Sequence, residues 1–322
     1  MTTDRFQASS LLTTTEVGDL LAVHPSTVKR WCNDGEIPFH KTDGGHRRIR
    51  LLDTLEFAAQ RGIPTVLEPF APYEAEVWAG LNAILSEGSY REITALAFGW
   101  LTEGKLDLIT ALFVMLGRSD GIPLPQLFDE GVAGFMRQVG EAWARGDVRV
   151  ADEHLASQAI VEALTSLAGP GAVAAGPTSG GSRTAGKAVG VAVVGAMEGD
   201  QHHIGSLCVR VLLEQAGWRV AYLGPDVPVE DFAALQYSRG ARLVCISFTP
   251  PHSPADVDRA LRILTEFYRP ERPYVLALGG AGVDSVAPGT LDSGPFEGVA
   301  AFSSSAAFHE WLGEELPPLG VG

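Results

Sequence analysis

Residues 197–208 read M-E-G-D-Q-H-H-I-G-S-L-C and hold the side chains of this chain best suited to chemistry. Imidazole is a common metal ligand, so His202 is a candidate donor to a metal. Asp200, two residues earlier, is a carboxylate placed to orient that ring through its other nitrogen. Gly205 carries no side chain and lets a bulky planar ligand approach the backbone. The neighbouring His203 competes for the ligand role, and a purely structural role is the alternative reading for His202. A second cluster lies upstream, where Trp143 near the end of one helical run is followed, across a short turn, by Glu153-His154 early in the next. Taken alone, Trp143 reads as core and Glu153-His154 as a solvated first turn with the acid well placed for the helix dipole. A third group is basic: Lys29, Arg30, Arg47 and Arg48, with His46 beside them. A solvated surface is the plain reading of such a cluster.

The elements that must position these groups can be read from periodicity. Residues 188–196 form an apolar, β-branched run of strand length, followed by an amphipathic run that ends at Gly217, so Asp200 and His202 sit on a strand-to-helix turn. Further strands are expected at 219–223, 243–247, 274–278 and 298–302, with helices near 203–216, 229–238, 254–268 and 304–314. Five strands alternating with helices predict a doubly wound, flavodoxin-like (Rossmann-type) α/β domain over 188–316. Such sheets bind ligands at the carboxyl ends of their strands. Leu223-Gly224-Pro225-Asp226, Ser247-Phe248-Thr249 and Leu278-Gly279-Gly280 therefore share a rim with His202. Glycines after a strand also serve as plain turns, the alternative for Gly279.

Upstream, apolar residues at helical spacing fill 73–86, 89–103, 105–117, 124–145 and 150–168, with breaks at Gly88, Gly104, 121–123 and Gly146. These predict an α-helical bundle over 73–168. Proline punctuates a linker at 64–72, and Gly, Ser and Ala make a flexible one at 169–187. Residues 1–10 read as a loose arm, and the tail after Glu315 as disordered. Between arm and linker, Thr13 or Thr14 can cap a short helix carrying Val17, Leu20 and Leu21. Pro25 then opens another, with Val28 and Trp31 turned to the core and Lys29 and Arg30 away from it. Two extended pieces joined by Gly44-Gly45 follow at 39–50. This is a winged helix-turn-helix over 1–64, whose second helix, bearing Ser26, Thr27, Lys29 and Arg30, would enter a major groove while the wing meets phosphates.

A net charge of −15 argues against a chain that coats nucleic acid along its length, so DNA contact must be local. Three cysteines without metal-type spacing point to a reducing compartment and core packing. The chain shows no apolar run of membrane-spanning length and no apolar stretch in its polar N-terminus, from which a cytoplasmic protein without a membrane partner is expected.

Three resemblances sharpen this. The pattern Glu198-x-Asp200-x-His202-x-x-Gly205 resembles the signature of cobalamin-binding domains, in which the histidine replaces the cofactor's own lower ligand on cobalt. That register selects His202 and leaves His203 at the helix start, facing solvent. It implies a hydroxyl from Ser247, replaced or assisted by Thr249, near the buried nucleotide tail, with Gly279 and Gly280 making room. Residues 11–62 resemble the DNA-binding domain of MerR-like regulators, especially the branch whose wing reads G-G-H-R-R. This implies operator binding by two or more copies through the second helix and through His46, Arg47 and Arg48. With the His202 signature, the spacing of Trp143 and Glu153-His154 is similar to the W-x9-E-H element of the CarH-type light-responsive regulators. In that family the helical bundle caps adenosylcobalamin, the tryptophan packs on the adenosyl group, and a dark assembly, a tetramer in known members, represses until light breaks the cobalt–carbon bond.

The resemblance thus implies a cobalamin-dependent transcriptional regulator, a homo-oligomer (dimer or tetramer) and not an enzyme, with Trp143, Glu153 and His154 around the upper ligand. One position departs: Ala144 stands where well-known members carry a histidine that captures cobalt after photolysis. His154 or water would then take that place, or the chain would sense a corrinoid without light. A corrinoid methyltransferase module is the remaining alternative.

Overall fold

The computed structural model describes residues 11–169, 188–250, 252–283 and 294–316. The arm at 1–10, nearly all of the Gly/Ser/Ala linker and the last residues of the tail fall outside them. The chain forms two compact units, Met1–Met115 and Leu116–Gly322.

In the first unit a threonine starts the first helix. The Thr13 hydroxyl accepts from the Glu16 N–H at 3.2 Å, and the Glu16 carboxylate accepts from the Thr13 N–H at 2.6 Å. This reciprocal pair satisfies two amides that helix α1, Thr14–Leu20, leaves open, and it selects Thr13 over Thr14 as the cap. Helix α2, Pro25–Asn33, begins with Pro25 in its first turn and the His24 ring accepting from the Ser26 N–H. Val28, Trp31 and Cys32 face inward. A three-stranded antiparallel sheet has the order β1-β3-β2, from β1 Leu11–Leu12, β2 His40–Lys41 and β3 Arg47–Arg50. The hairpin of β2 and β3 matches the two extended pieces expected at 39–50. The two-residue β1 was too short to leave a pattern in the sequence. Helix α3, Leu51–Arg61, lays Phe57 on Trp31, ring centroids 4.8 Å apart. Helices α4 Glu74–Glu87, α5 Arg91–Thr102 and α6 Leu106–Arg118 follow, the last crossing into the second unit.

The second unit continues with helix α7, which is α-helical over Leu124–Gln126, widens to a π-helix over Leu127–Val132 and returns to α-helix over Ala133–Arg145. Helix α8 spans Val150–Leu167. The five-stranded sheet that follows is wholly parallel, built from β4 Val191–Met197, β5 Arg219–Val227, β6 Leu243–Ser247, β7 Val275–Gly279 and β8 Gly298–Phe302. Between the strands run α9 Ile204–Gln215, α10 Val229–Arg239 and α11 Pro254–Phe267, and α12 Ser305–Glu315 ends the described chain. The strand order is β5-β4-β6-β7-β8, which reverses direction between β4 and β6. A crevice opens at such a reversal, and it lies where the segments after β4 and β6 begin. Val193, Val244, Ile246, Leu276 and Leu278 of the strands pack with Phe232, Val257 and Leu264 of α10 and α11 to fill the core.

The end of strand β5 departs from the sequence reading. Strand β5 runs to Val227 rather than stopping at 223. Gly224 and Asp226 both take positive φ, and the ladder to β4 shifts register so that Gly195 pairs with Gly224 and Met197 with Val227. A Gly-Pro-Asp string reads as a turn; here contacts from the neighbouring segment keep it on the sheet. Among the described residues no helix is long and apolar enough to cross a membrane.

Candidate cofactor site and nucleic-acid interface

Asp200 ends the turn after β4 and is 2% exposed. Its carboxylate collects three donors: the His202 N–H at 2.9 Å, the Thr249 N–H at 2.8 Å and the Thr249 hydroxyl at 2.7 Å. Burial of a carboxylate is tolerable only with such satisfaction. Thr249 lies just past β6, so Asp200 joins the two segments on either side of the sheet's reversal. The His202 ring stands out from this pair with its side chain 71% exposed. Its Nδ1 faces the Thr249 hydroxyl at 3.4 Å and Asp200 Oδ1 at 3.5 Å. Because that hydroxyl already donates to Asp200, the arrangement suits the neutral tautomer with its proton on Nδ1, the one whose Nε2 keeps a free lone pair.

Gly205 lies in the first turn of α9, where an added Cβ would sit 3.8 Å from Ser247 Oγ, an ordinary contact. The protein itself therefore does not demand glycine there; the bare backbone faces a hydroxyl that is only 7% exposed as a residue and has no hydrogen bond among the described residues. Gly280 is different. With φ at 94°, its Cβ would overlap the Phe248 carbonyl oxygen. That oxygen also accepts from the Gly282 N–H at 2.9 Å, and Phe248 N–H donates to Gly279 O at 2.8 Å. The room that Gly280 makes is filled by the chain's own segment after β6. His203 is half-buried rather than solvent-facing, because its ring turns back toward Gln201 O at 3.3 Å.

Trp143 sits in the last turn of α7 and is 52% exposed, near the exposed apolar Val150 and Leu155 in sequence. Glu153 accepts from the Ser157 hydroxyl at 2.8 Å and pairs with His154 Nδ1 at 3.3 Å, the imidazole otherwise open to solvent. Among the described residues, Trp143, Glu153 and His154 make no hydrogen bond, ion pair or ring contact with Asp200, His202 or Thr249.

In the first unit, Lys29, His46, Arg47 and Arg48 line one cleft of about 420 Å³, closed by Thr13, Thr14 and Thr15. Helix α2 and the hairpin thus present their basic residues together. Ser26 and Arg30 are exposed on α2 and Thr27 is half-buried, outside that cleft. Arg47 is partly committed: its guanidinium donates to Asn33 Oδ1 at 2.6 Å and stands over the Phe39 ring at 5.2 Å. It braces the hairpin against α2, whereas the Lys29 and Arg30 side chains make no hydrogen bond or ion pair among the described residues.

Residues 11–62 match a family model described as a helix-turn-helix domain, and residues 104–168 and 190–306 match two models described as B12 binding domains. The chain joins a helix-turn-helix to cobalamin-binding domains. Among curated proteins, dimethylamine corrinoid protein 3 of Methanosarcina acetivorans is 31% identical over 126 residues, 39% of this chain and 54% of that one. Dimethylamine corrinoid protein 2 of Methanosarcina mazei is 32% identical over 122 residues, 38% and 53% of the two chains. The chain spans about half the length of the curated relatives it matches. Among solved structures, the monomethylamine corrinoid protein of Methanosarcina barkeri overlaps 71% of this chain and 92% of its own at 16% identity, with a TM-score of 0.42.

Some contributions to these sites lie beyond what the sequence reading assigned. Asp226 accepts from the Gly199 N–H at 2.8 Å and from Gln201 at 3.2 Å, and so holds the segment that carries Asp200. His252 touches both loops of the reversal. Thr13, Thr14 and Thr15 complete the basic cleft. Asp226 was foreseen on the rim but not its grip on Gly199 and Gln201, and His252, an imidazole five residues past Ser247, was the residue the reading passed over despite a signal in the sequence.

Proposed function

We propose that this chain is a transcriptional regulator, a repressor, whose binding to operator DNA is governed by bound adenosylcobalamin and by light. The observation that carries this is the union, in one chain, of a helix-turn-helix domain and B12 binding domains. A corrinoid enzyme has no need of the first.

The residues after β4 and β6 fit a corrinoid. A lone imidazole suits a metal already held by a macrocycle, and His202 offers Nε2 while Asp200 and Thr249 fix its tautomer. Gly205 and the free Ser247 hydroxyl leave backbone and a donor for a buried tail. Trp143, Glu153 and His154 would cover the opposite face, the exposed indole giving the apolar surface an adenosyl group stacks on. When bound, the cofactor supplies a light-labile cobalt–carbon bond. Lys29 and Arg30 on α2, with His46 and Arg48 at the hairpin, meet phosphates, and Ser26 and Thr27 lie at the helix start that approaches the bases. The protein acts without catalytic turnover, as two or four copies.

The test is to load the chain with adenosylcobalamin and follow absorption, particle size and operator binding in darkness and after illumination. Dark assembly with tight DNA binding, both lost on illumination, is expected. Unchanged size and DNA binding despite cobalt–carbon cleavage would overturn the light switch.

A second reading, a methyl-carrying corrinoid module, is favoured by the names of the relatives, which are methylamine corrinoid proteins. It predicts methyl transfer from methylcobalamin with a partner methyltransferase, and no effect of Arg47→Ala with Arg48→Ala. The regulatory reading predicts loss of operator binding in that double variant.

A further inference from the structure

His252 does not belong to any motif considered above, yet it sits at the reversal point with its side chain only 10% exposed. Its Nδ1 lies 2.9 Å from the Thr249 carbonyl oxygen and its Nε2 3.0 Å from the Glu198 carbonyl oxygen. One ring therefore ties the segment after β6 to the segment after β4. Carbonyl oxygens only accept, so both bonds exist together only when both ring nitrogens carry protons. The neutral ring keeps one of the two. The charged groups around the ring suit the cation. Asp200 Oδ2 is 3.9 Å from Nδ1, and Asp256 of α11, whose carboxyl is held below the usual range mainly by hydrogen bonds from Ser253, also feels the charge of His252. Arg259 of the same helix is turned to the Glu198 carboxylate at 3.9 Å. The Phe248 ring meets the imidazole edge to face, 6.1 Å between centroids.

We propose that His252 is a positioning residue of the corrinoid site: as an imidazolium it pins the two loops together and so holds Asp200 and Thr249 in place behind His202. This rests on the reading of His202 as the cobalt ligand. Two bonds from one buried ring fix a spacing that neither loop fixes alone, and Thr249 is at once the pinned residue and the partner of His202 Nδ1. Loosening the pin frees the threonine to drift, and with it the tautomer and aim of the ligand.

The experiment compares wild type with His252→Gln and His252→Ala. In the cofactor-free protein, nitrogen NMR of the ring is expected to show both His252 nitrogens protonated and hydrogen-bonded, as the two carbonyl contacts require; a neutral ring would overturn the pin whether or not cobalamin binds. With the cobalt(II) form of cobalamin as probe, histidine ligation is read from the nitrogen splitting in the electron paramagnetic spectrum. Outer partners that orient metal ligands are worth about 10–100-fold in affinity, and both variants are expected to lose roughly tenfold in the histidine-ligated fraction. Equal ligation in wild type and both variants overturns the proposal. If wild type shows no nitrogen splitting at all while His252 is doubly protonated, the pin stands and it is the ligand role of His202 that fails.

Discussion

His202 depends on its neighbours more than on its own position. Asp200 is saturated by three donors, and the Thr249 hydroxyl stands between that carboxylate and the ring, donating to one and accepting from the other. Thr249→Val keeps the shape and the backbone bond to Asp200 while removing this relay. It is expected to weaken cobalt ligation by His202 about tenfold, within the range for outer partners of metal ligands, with a stability loss near 1 kcal/mol, the net worth of one hydrogen bond. Cobalamin titration and urea unfolding check the two halves. Asp200 and His202 were legible because their spacing on a strand-to-helix turn is a local pattern. The part of Thr249 was half legible, since a hydroxyl on the shared rim could be foreseen but its grip on Asp200, 49 residues away in the chain, belongs to the folded sheet. Under the proposed reading, with alanine at position 144, the imidazole left for the upper side is His154, open to solvent beside Glu153. Illuminated protein is therefore expected to lack a bis-histidine cobalamin spectrum. Should one appear, its survival in His154→Ala would exclude His154 as the second ligand.

Helix α7 shows how an element can carry a part that periodicity conceals. The apolar spacing over 124–145 predicts one helix, and one helix is present, but its Leu127–Val132 stretch is π-helical. The extra residue in that turn shifts Asp129 out of α-helical phase, and its carboxylate accepts from the N–H groups of Ser305 at 2.8 Å and Ala306 at 3.0 Å. These are amides at the start of α12 that no turn of that helix can satisfy. Asp129 is thus a cap supplied from a different helix, alongside the Ser304 hydroxyl that bonds Ala307 N–H. Asp129→Ala should cost about 1 kcal/mol, as loss of an N-cap does, and should raise hydrogen exchange in the first turn of α12 more than elsewhere in the sheet unit. Equal protection across that unit would show that Ser304 caps the helix by itself. The nearby Cys208 thiol is pushed far above its ordinary range by burial first and by the Asp129 charge second, so it stays an inert core thiol. Helix and strand positions in this unit were nearly all legible from local pattern. The π turn and the last residues of β5 were not, because both are set by contacts between segments distant in sequence.

The chain as a whole is acidic, at −15, while its DNA-facing residues are few. Of Lys29, Arg30, Arg47 and Arg48, the first two are uncommitted among the described residues, Arg48 spends one N–H on the Arg47 carbonyl oxygen, and Arg47 is partly held by Asn33 and Phe39. Each phosphate neutralised contributes about −0.9 to the slope of log affinity against log salt. Lys29, Arg30 and Arg48 together can then supply a slope of about −3, or about −4 if Arg47 lets go of its partners. The field of the remaining acidic surface opposes the duplex, so a single module would hold DNA weakly at physiological salt. A regulator of this build needs at least two modules on one operator, the second binding at the raised effective concentration that the first creates. The expected result for the cofactor-loaded dark protein is a slope steeper than about −5, falling toward −3 in whichever state has come apart. Because binding linkage is reciprocal, operator DNA must tighten the corrinoid by the same factor by which the corrinoid tightens DNA. A slope that stays near −3 in every state, with corrinoid affinity indifferent to operator DNA, would mean that the helix-turn-helix and the corrinoid site share a chain without sharing a switch.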